Sequence, residues 1–279
     1  MDGQHDTENK EAALWNGVSG NAWVEMQEIL DRLFHPMEQL LVDAVASGPA
    51  GRVLDVGCGT GGTTVAIARQ LGTAGDCTGI DISEPMLAAA RRRAERDGVP
   101  ARFICADAQR YRFEPPTYDM VVSRFGVMFF DDFVEAFTNL RRATTQGGAL
   151  RIIAWRGVAE NPFMTTAERA AAPLVTIPPR PPDGPGQFAF ADENRVRSIL
   201  EQSGWSGIDF QPIDVVCTMS EKDLPVYLSR LGALGRTLAE MDESTCARIV
   251  AAVLPAFEPY IDGSDIQFTA ACWMVSASA

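Results

Sequence analysis

Arg52-Val-Leu-Asp-Val-Gly-Cys-Gly-Thr-Gly-Gly62 decides how this chain folds. Arg52 to Val56 supplies aliphatic and β-branched residues suited to a central parallel strand that is covered on both faces. Gly57, Gly59, Gly61 and Gly62 then read as a sharp turn that admits a ligand's atoms and seats a helix, 63–71, close to the sheet. The carboxyl end of such a strand is the usual crevice for a nucleoside in an open α/β sheet. The spacing alone leaves the nucleoside open, because Gly57, Gly59 and Gly62 also satisfy the G-x-G-x-x-G pattern of dinucleotide-binding turns.

Charge separates the alternatives. Asp55 lies inside the strand, two residues before the first glycine, where a carboxylate is costly without hydrogen-bond partners or a positive charge to face. A dinucleotide pyrophosphate would be repelled there, whereas a sulfonium amino acid with a free ammonium would be attracted. On these residues the stretch resembles the first motif of the class I S-adenosylmethionine-dependent methyltransferases, D-x-G-x-G-x-G, filled here by Asp55, Gly57, Gly59 and Gly61.

Gly79-Ile80-Asp81 closes the next predicted strand, 77–80, about 20 residues beyond the glycines, where a ribose needs an acceptor for its hydroxyls. That acid suits either nucleoside. Ser83 is a predicted cap for a helix over 84–96, with Pro85 in its first turn. A third strand, 101–106, ends in Asp107-Ala108-Gln109. The resemblance implies that an acid here meets the adenine amino group and that Ala108 offers its backbone N–H to the ring. Three acids at three consecutive strand ends are a more specific signal than one glycine fingerprint. The resemblance further implies S-adenosyl-L-methionine as cofactor, with S-adenosyl-L-homocysteine as product. The residues it assigns to that ligand are Asp55, Gly57, Cys58, Gly59, Thr60, Gly61, Asp81, Ile82, Met86, Asp107, Ala108, Gln109, Ser123 and Arg124.

Composition sets outer bounds. The 279 residues are 46% apolar and 22% charged, which describes an ordinary globular enzyme with ample material for a core. A formal charge of −13, with no basic run longer than Arg91-Arg92-Arg93, argues against a nucleic-acid partner. The six cysteines form no C-x-x-C pair and have no histidine nearby, so no metal or disulfide is expected; they read as small buried residues of a reducing cytoplasm. The polar, acidic stretch 1–11 does not read as a signal sequence, and no apolar run reaches the ~20 residues that span a bilayer.

Residues 12–47 have helical periodicity, with Trp23, Met26, Leu30, Leu33 and Phe34 on one segment and Met37, Leu40, Leu41, Ala44 and Val45 on a second; Pro36 is expected to divide them. A fourth strand over 118–123, an amphipathic helix over 133–144, a Gly147-Gly148 turn and a fifth strand over 149–155 complete a Rossmann-like core. Beyond it come a proline-crowded stretch, 173–187, a helix capped by Asp192, a strand over 208–219, helices over 224–240 and 244–257, and a last strand over 266–276. The fold the resemblance implies is α/β: a Rossmann-like seven-stranded sheet in the order 3-2-1-4-5-7-6, its last strand antiparallel, with helices on both faces and a helical lid. It divides into an N-terminal leader and lid (1–50), a cofactor-binding core (51–157), and an acceptor-side loop, lid helices and closing β-hairpin of the same domain (158–279). V-L-D-V-G-C-G-T-G, G-I-D-I-S-E-P-M-L and S-R-F-G-V-M-F-F place the local likeness near the ubiquinone/menaquinone-biosynthesis methyltransferases.

Ser123 to Phe130 follows the fourth strand, where the resemblance implies the methyl-transfer site. Phe125, Met128 and Phe129 suit an apolar lining for a small, mainly apolar acceptor. Arg124 suits either an acceptor carboxylate or an acid on the cofactor side. Trp15 and Trp23 suit either core packing or a lid over the ligand. Methyl transfer from a sulfonium already has a good leaving group, so the protein chiefly supplies alignment and a dry cavity. The only histidines are His5, in the leader, and His35, a candidate base. The resemblance carries over no catalytic base. Two alternatives stay open: an NAD(P)-dependent oxidoreductase, although no tyrosine has a lysine four residues on, and a catalytically silent nucleoside-binding protein.

Overall fold

The computed structural model describes residues 11–48, 51–114, 116–179 and 184–279. The leader with His5, Pro115 and residues 180–183 of the proline-crowded stretch lie outside the described residues. In chain order the elements are α1 Val18–Glu25, α2 Gln27–Ala46, β1 Arg52–Val56, α3 Gly62–Leu71, β2 Asp76–Asp81, α4 Glu84–Asp97, β3 Arg102–Cys105, β4 Tyr118–Arg124, a 3-10 turn Gly126–Phe129, α5 Phe133–Ala143 and β5 Thr144–Trp155. There follow α6 Phe163–Ala171, α7 Glu193–Gln202, β6 Ser206–Ser220, α8 Leu224–Arg230, α9 Gly232–Leu238, α10 Glu243–Val253, β7 Ile261–Asp262 and β8 Asp265–Ser278. One sheet runs β3-β2-β1-β4-β5-β8-β6. Its first five strands are parallel, and β8 is antiparallel to both neighbours. This is the expected order, with one addition: the two-residue β7 turns back onto β8.

Local chemistry accounts for most boundaries. β1 is buried from Val53 to Val56, as a strand covered on both faces must be. Asp132, Asp192 and Asp242 cap α5, α7 and α10 by accepting backbone N–H groups of the first turn, and Ser83 caps α4 in the same way.

Four expectations need correction. Pro36 does not divide the N-terminal helix; α2 runs through it, and the break falls at Met26. An interior proline costs about 3 kcal/mol. Leu33, Phe34, Met37 and Leu41 are all buried around it, and at about 1.5–3 kcal/mol each their burial outweighs that cost. The Gly147-Gly148 turn is instead an irregularity inside β5, which starts at Thr144 and shifts register between Tyr118 and Met120. The segment 224–240 is two helices, because Leu231 is extended and Gly232 has φ +71°. Finally, Cys105 is exposed and Cys246 half-buried, Cys105 because β3 is a sheet edge with a part-exposed face.

The N-terminal helices pack against the sheet and its flanking helices. α1 packs on α4, and α2 lies over α3, β4 and β6. Ion pairs tie them to the far half: Arg32 to Asp223 at 3.1 Å, and Glu25 to Arg230 at 3.3 Å.

Candidate functional site

The glycine turn is fixed by its own backbone. Gly57 has φ +65°, and a Cβ there would lie 2.5 Å from Gly126 Cα, so the end of β1 and the start of the 3-10 turn approach as only two glycines can. Sequence reasoning did not single out Gly126; its signal was a glycine in the otherwise apolar run after the fourth strand. The N–H groups of Gly57 and Cys58 both donate to Ile80 O, that of Gly59 to Asp81 Oδ2, and that of Gly61 to Cys58 O. A pyrophosphate needs such groups free. Here protein acceptors hold them, one a carboxylate.

Asp81 is buried at the end of β2 and joins two elements: Oδ2 accepts from Gly59 N–H at 2.8 Å, and Oδ1 from Ser83 N–H at 2.9 Å. Burial raises its pKa, and these backbone donors oppose the rise. Each oxygen keeps a second lone pair for a ligand hydroxyl. Half-buried Asp107 accepts from Gln109 N–H through Oδ1, and burial again raises its pKa. The neighbouring Ala108 N–H has no partner among the described residues. Met86 is buried beside the turn, with Sδ 3.8 Å from the direction a Gly59 side chain would take. Ile82 is half-buried, and Thr60 and Cys58 are buried in the turn itself. Burial holds the Cys58 thiol well above its ordinary pKa.

Asp55 points into the protein. It is 1% exposed, and its Oδ2 accepts from Thr64 Oγ1 at 2.6 Å. Burial pushes its pKa up to about 6, and the Thr64 hydrogen bond and the charge of Arg124 oppose that rise.

Two assigned side chains are engaged elsewhere. Gln109 donates to Glu135 at 2.6 Å and accepts from Asp132 N–H, so its amide braces the start of α5. Ser123 Oγ donates to Val56 O and accepts from the N–H groups of Gly126 and Val127, which ties β4 to β1.

The aromatic side of the site begins at Phe125, the one non-glycine residue with positive φ (+69°) among the described residues. Strain of this kind concentrates at functional sites. Its ring stacks on Trp155 at 4.7 Å and meets Phe34 edge-on at 5.5 Å. Met128 is buried, and its carbonyl accepts from Gly186 N–H, which fastens the end of the proline-crowded stretch. Phe129 meets Trp15 edge-on at 5.2 Å, and Trp15 O accepts from Ser83 Oγ at 2.6 Å. The stretch at 11–16 therefore reaches both the cofactor-side helix α4 and the apolar run. Asn16, not singled out from the sequence, fastens it by donating to Ile82 O and accepting from Glu84 N–H. His35 is exposed, with Nδ1 3.4 Å from Glu38 Oε1.

A glycine turn, two backbone-anchored carboxylates and an apolar run thus gather at the carboxyl ends of the parallel strands of an α/β protein. Residues 53–148 match a family model described as a methyltransferase domain, and the chain resembles the class I S-adenosylmethionine-dependent methyltransferases near the ubiquinone/menaquinone-biosynthesis group. It is 34% identical over 112 residues to the demethylmenaquinone methyltransferase of Thermus thermophilus, a match covering 40% of this chain and 50% of that one. It is 28% identical over 158 residues to a ubiquinone/menaquinone biosynthesis C-methyltransferase of Burkholderia mallei, covering 56% and 65%. The chain spans about half the length of the curated relatives it matches. The YcgJ protein of Bacillus subtilis shares the fold, with a TM-score of 0.57 at 17% identity over 88% of this chain and 98% of that one. Among the described residues no helix is long and apolar enough to cross a membrane.

Proposed function

We propose that this protein is an S-adenosylmethionine-dependent methyltransferase that alkylates a small, mainly apolar metabolite. The observation that carries the reading is the pair of strand-end carboxylates, Asp81 and Asp107, at the ends of the two strands beside a glycine turn whose Gly57, Cys58, Gly59 and Gly61 N–H groups are already taken. The donor set fits this cofactor. Asp81 retains lone pairs for the ribose hydroxyls, Asp107 for the adenine amino group, and the Ala108 N–H is open to the ring. The same turn offers little to a dinucleotide pyrophosphate, which disfavours the oxidoreductase alternative.

When bound, the cofactor supplies a methyl group on a positively charged sulfur. The chain's own contribution is alignment and exclusion of water. Phe125, Met128 and Phe129, backed by Trp155 and Trp15, line a dry wall at the end of β4. His35 is not well placed as a base, because its ring is exposed and already beside Glu38. The reading therefore favours an acceptor that needs little help in losing its proton.

Calorimetry with S-adenosylhomocysteine and with NAD, followed by turnover against phenols, thiols, amines and quinol precursors, tests this. Binding of the homocysteine compound with methylation of one acceptor class is expected. Tight NAD binding without the other would overturn the reading, and nucleoside binding with no turnover of any acceptor would leave a silent binding protein.

A further inference from the structure

An open cleft of about 570 Å³ runs along α5, from its cap Asp132 to Arg142 in its last turn. Its lining shares only Gln109 with the residues assigned to the cofactor, and none with the apolar wall. The loop after Asp107 contributes Arg110 and Arg112, and α5 contributes Arg142, so three arginines meet here in a chain whose formal charge is −13. Two carboxylates share the cleft, and each already holds a donor: Asp132 Oδ1 accepts from Glu135 N–H at 2.9 Å, and Glu135 Oε2 from the Gln109 amide at 2.6 Å. Arg112 and Arg142 are not engaged in this way. Neither has a hydrogen bond or an ion pair among the described residues.

Asn139 joins the two walls. Its side-chain amide donates to Ala108 O at 2.9 Å and to Tyr111 O at 2.8 Å, which fastens the loop to the middle of α5. Arg112 follows Tyr111 in the chain, and Arg142 is three residues beyond Asn139, its neighbour along one helix face. Both arginines therefore leave the backbone close to that joint, and both face one cleft. Like charges held in this way repel, and an anion between them turns the repulsion into two attractions. The planar guanidinium fork matches phosphoryl oxygens two at a time.

We propose that the cleft is a binding site for a small phosphate-bearing anion of the pyrophosphate class, with Arg112 and Arg142 each taking one phosphoryl group from opposite walls. The glycine turn does not compete for such a ligand, because its donors are closed on protein acceptors. Asn139 holds the carbonyl of Ala108, so an anion that draws the walls together also stiffens the loop that carries Asp107 and Ala108. The site goes beyond the methyl-transfer reading and does not depend on it.

Calorimetry with pyrophosphate and with inorganic phosphate, joined to amide hydrogen exchange over residues 107–113, tests the proposal. Saturable pyrophosphate binding is expected, about tenfold tighter than phosphate, the scale of one further charge-assisted contact, together with slowed exchange in 107–113. Arg112→Gln and Arg142→Gln are each expected to weaken pyrophosphate about tenfold and to remove the slowing. Both side chains are exposed, so an unchanged denaturant midpoint is expected and shows that the variants fold. The site would be overturned by the absence of saturable binding, by unchanged affinity in the double variant, or by slowing that sodium chloride reproduces at the same ionic strength. Saturable binding that protects another segment and leaves 107–113 as it was would overturn it too.

Discussion

The two halves of the sheet are held in different ways. On the β3-β2-β1 side the work falls to the backbone: Asp81 and Asp107 accept N–H groups two residues ahead, Gly57 lies against Gly126, and the turn's donors close on protein acceptors. On the β5-β8-β6 side the walls are rings against rings. Phe163 stacks on Phe268 at 3.8 Å and meets Phe257 and Tyr260 edge-on, and Phe125 stacks on Trp155. A surface built from backbone tolerates few residue types, whereas one built from packed side chains keeps its shape through many compensated exchanges. Under the proposed methyl-transfer reading, the first suits a ligand that does not vary and the second an acceptor that does.

The sharpest test of this division is Phe163→Ala. Removing a fully packed ring is expected to cost about 3 to 5 kcal/mol in denaturant unfolding, with affinity for S-adenosylhomocysteine unchanged in the folded fraction. A matching loss of affinity would show that the halves are not independent. Gly57→Ala attacks the other half. A methyl group forced into a left-handed backbone and against Gly126 is expected to cost about 2 to 4 kcal/mol and to weaken the same ligand strongly; a stable variant with normal binding would break the claim that this turn is fixed by close approach.

Asp55→Asn refines the picture with a pH dependence. The carboxyl of Asp55 is raised to about 6 in the folded protein, above the ordinary value near 3.9. The folded state therefore holds a proton that the unfolded chain releases, and stability falls as pH rises between those values. The cost of keeping the buried carboxylate at pH 7 is about 2 to 3 kcal/mol, at 1.36 kcal/mol per pKa unit. The variant, which can keep the Thr64 hydrogen bond, is expected to match the parent near pH 4 and exceed it at pH 7. A gap that does not change with pH would show that Asp55 is not titrating in this window.

What could be read from the sequence follows the same division. The β1–β4 strands and the positions of the strand-end acids were legible because glycine, aspartate and β-branched runs are demanded by local backbone geometry, and the order of the sheet because the chain resembles a family that has it. The engagements of Gln109 and Ser123 were not, since their partners Glu135 and Val56 lie 26 and 67 residues away. Pro36 misled because the rule for proline is local, while the apolar face that carries α2 past it is satisfied only by the sheet. Arg112, Asn139 and Arg142 were missed for a related reason: polar residues at a surface ordinarily face water, and only the hold of α5 on the 107–113 loop brings these three together.

The place of β8 has a further consequence. β6 joins the sheet through β8 alone, and β8 follows every other strand of this sheet in the chain. The five parallel strands with their glycine turn are all synthesised before it, so during translation the parallel side can assemble while β6 waits unpaired. Domains fold as their segments emerge, and exposed strand edges invite misassembly in the interval. For this sheet the interval ends only when residues 265–278 slot between β5 and β6, so the β5-β8-β6 side closes after the parallel strands.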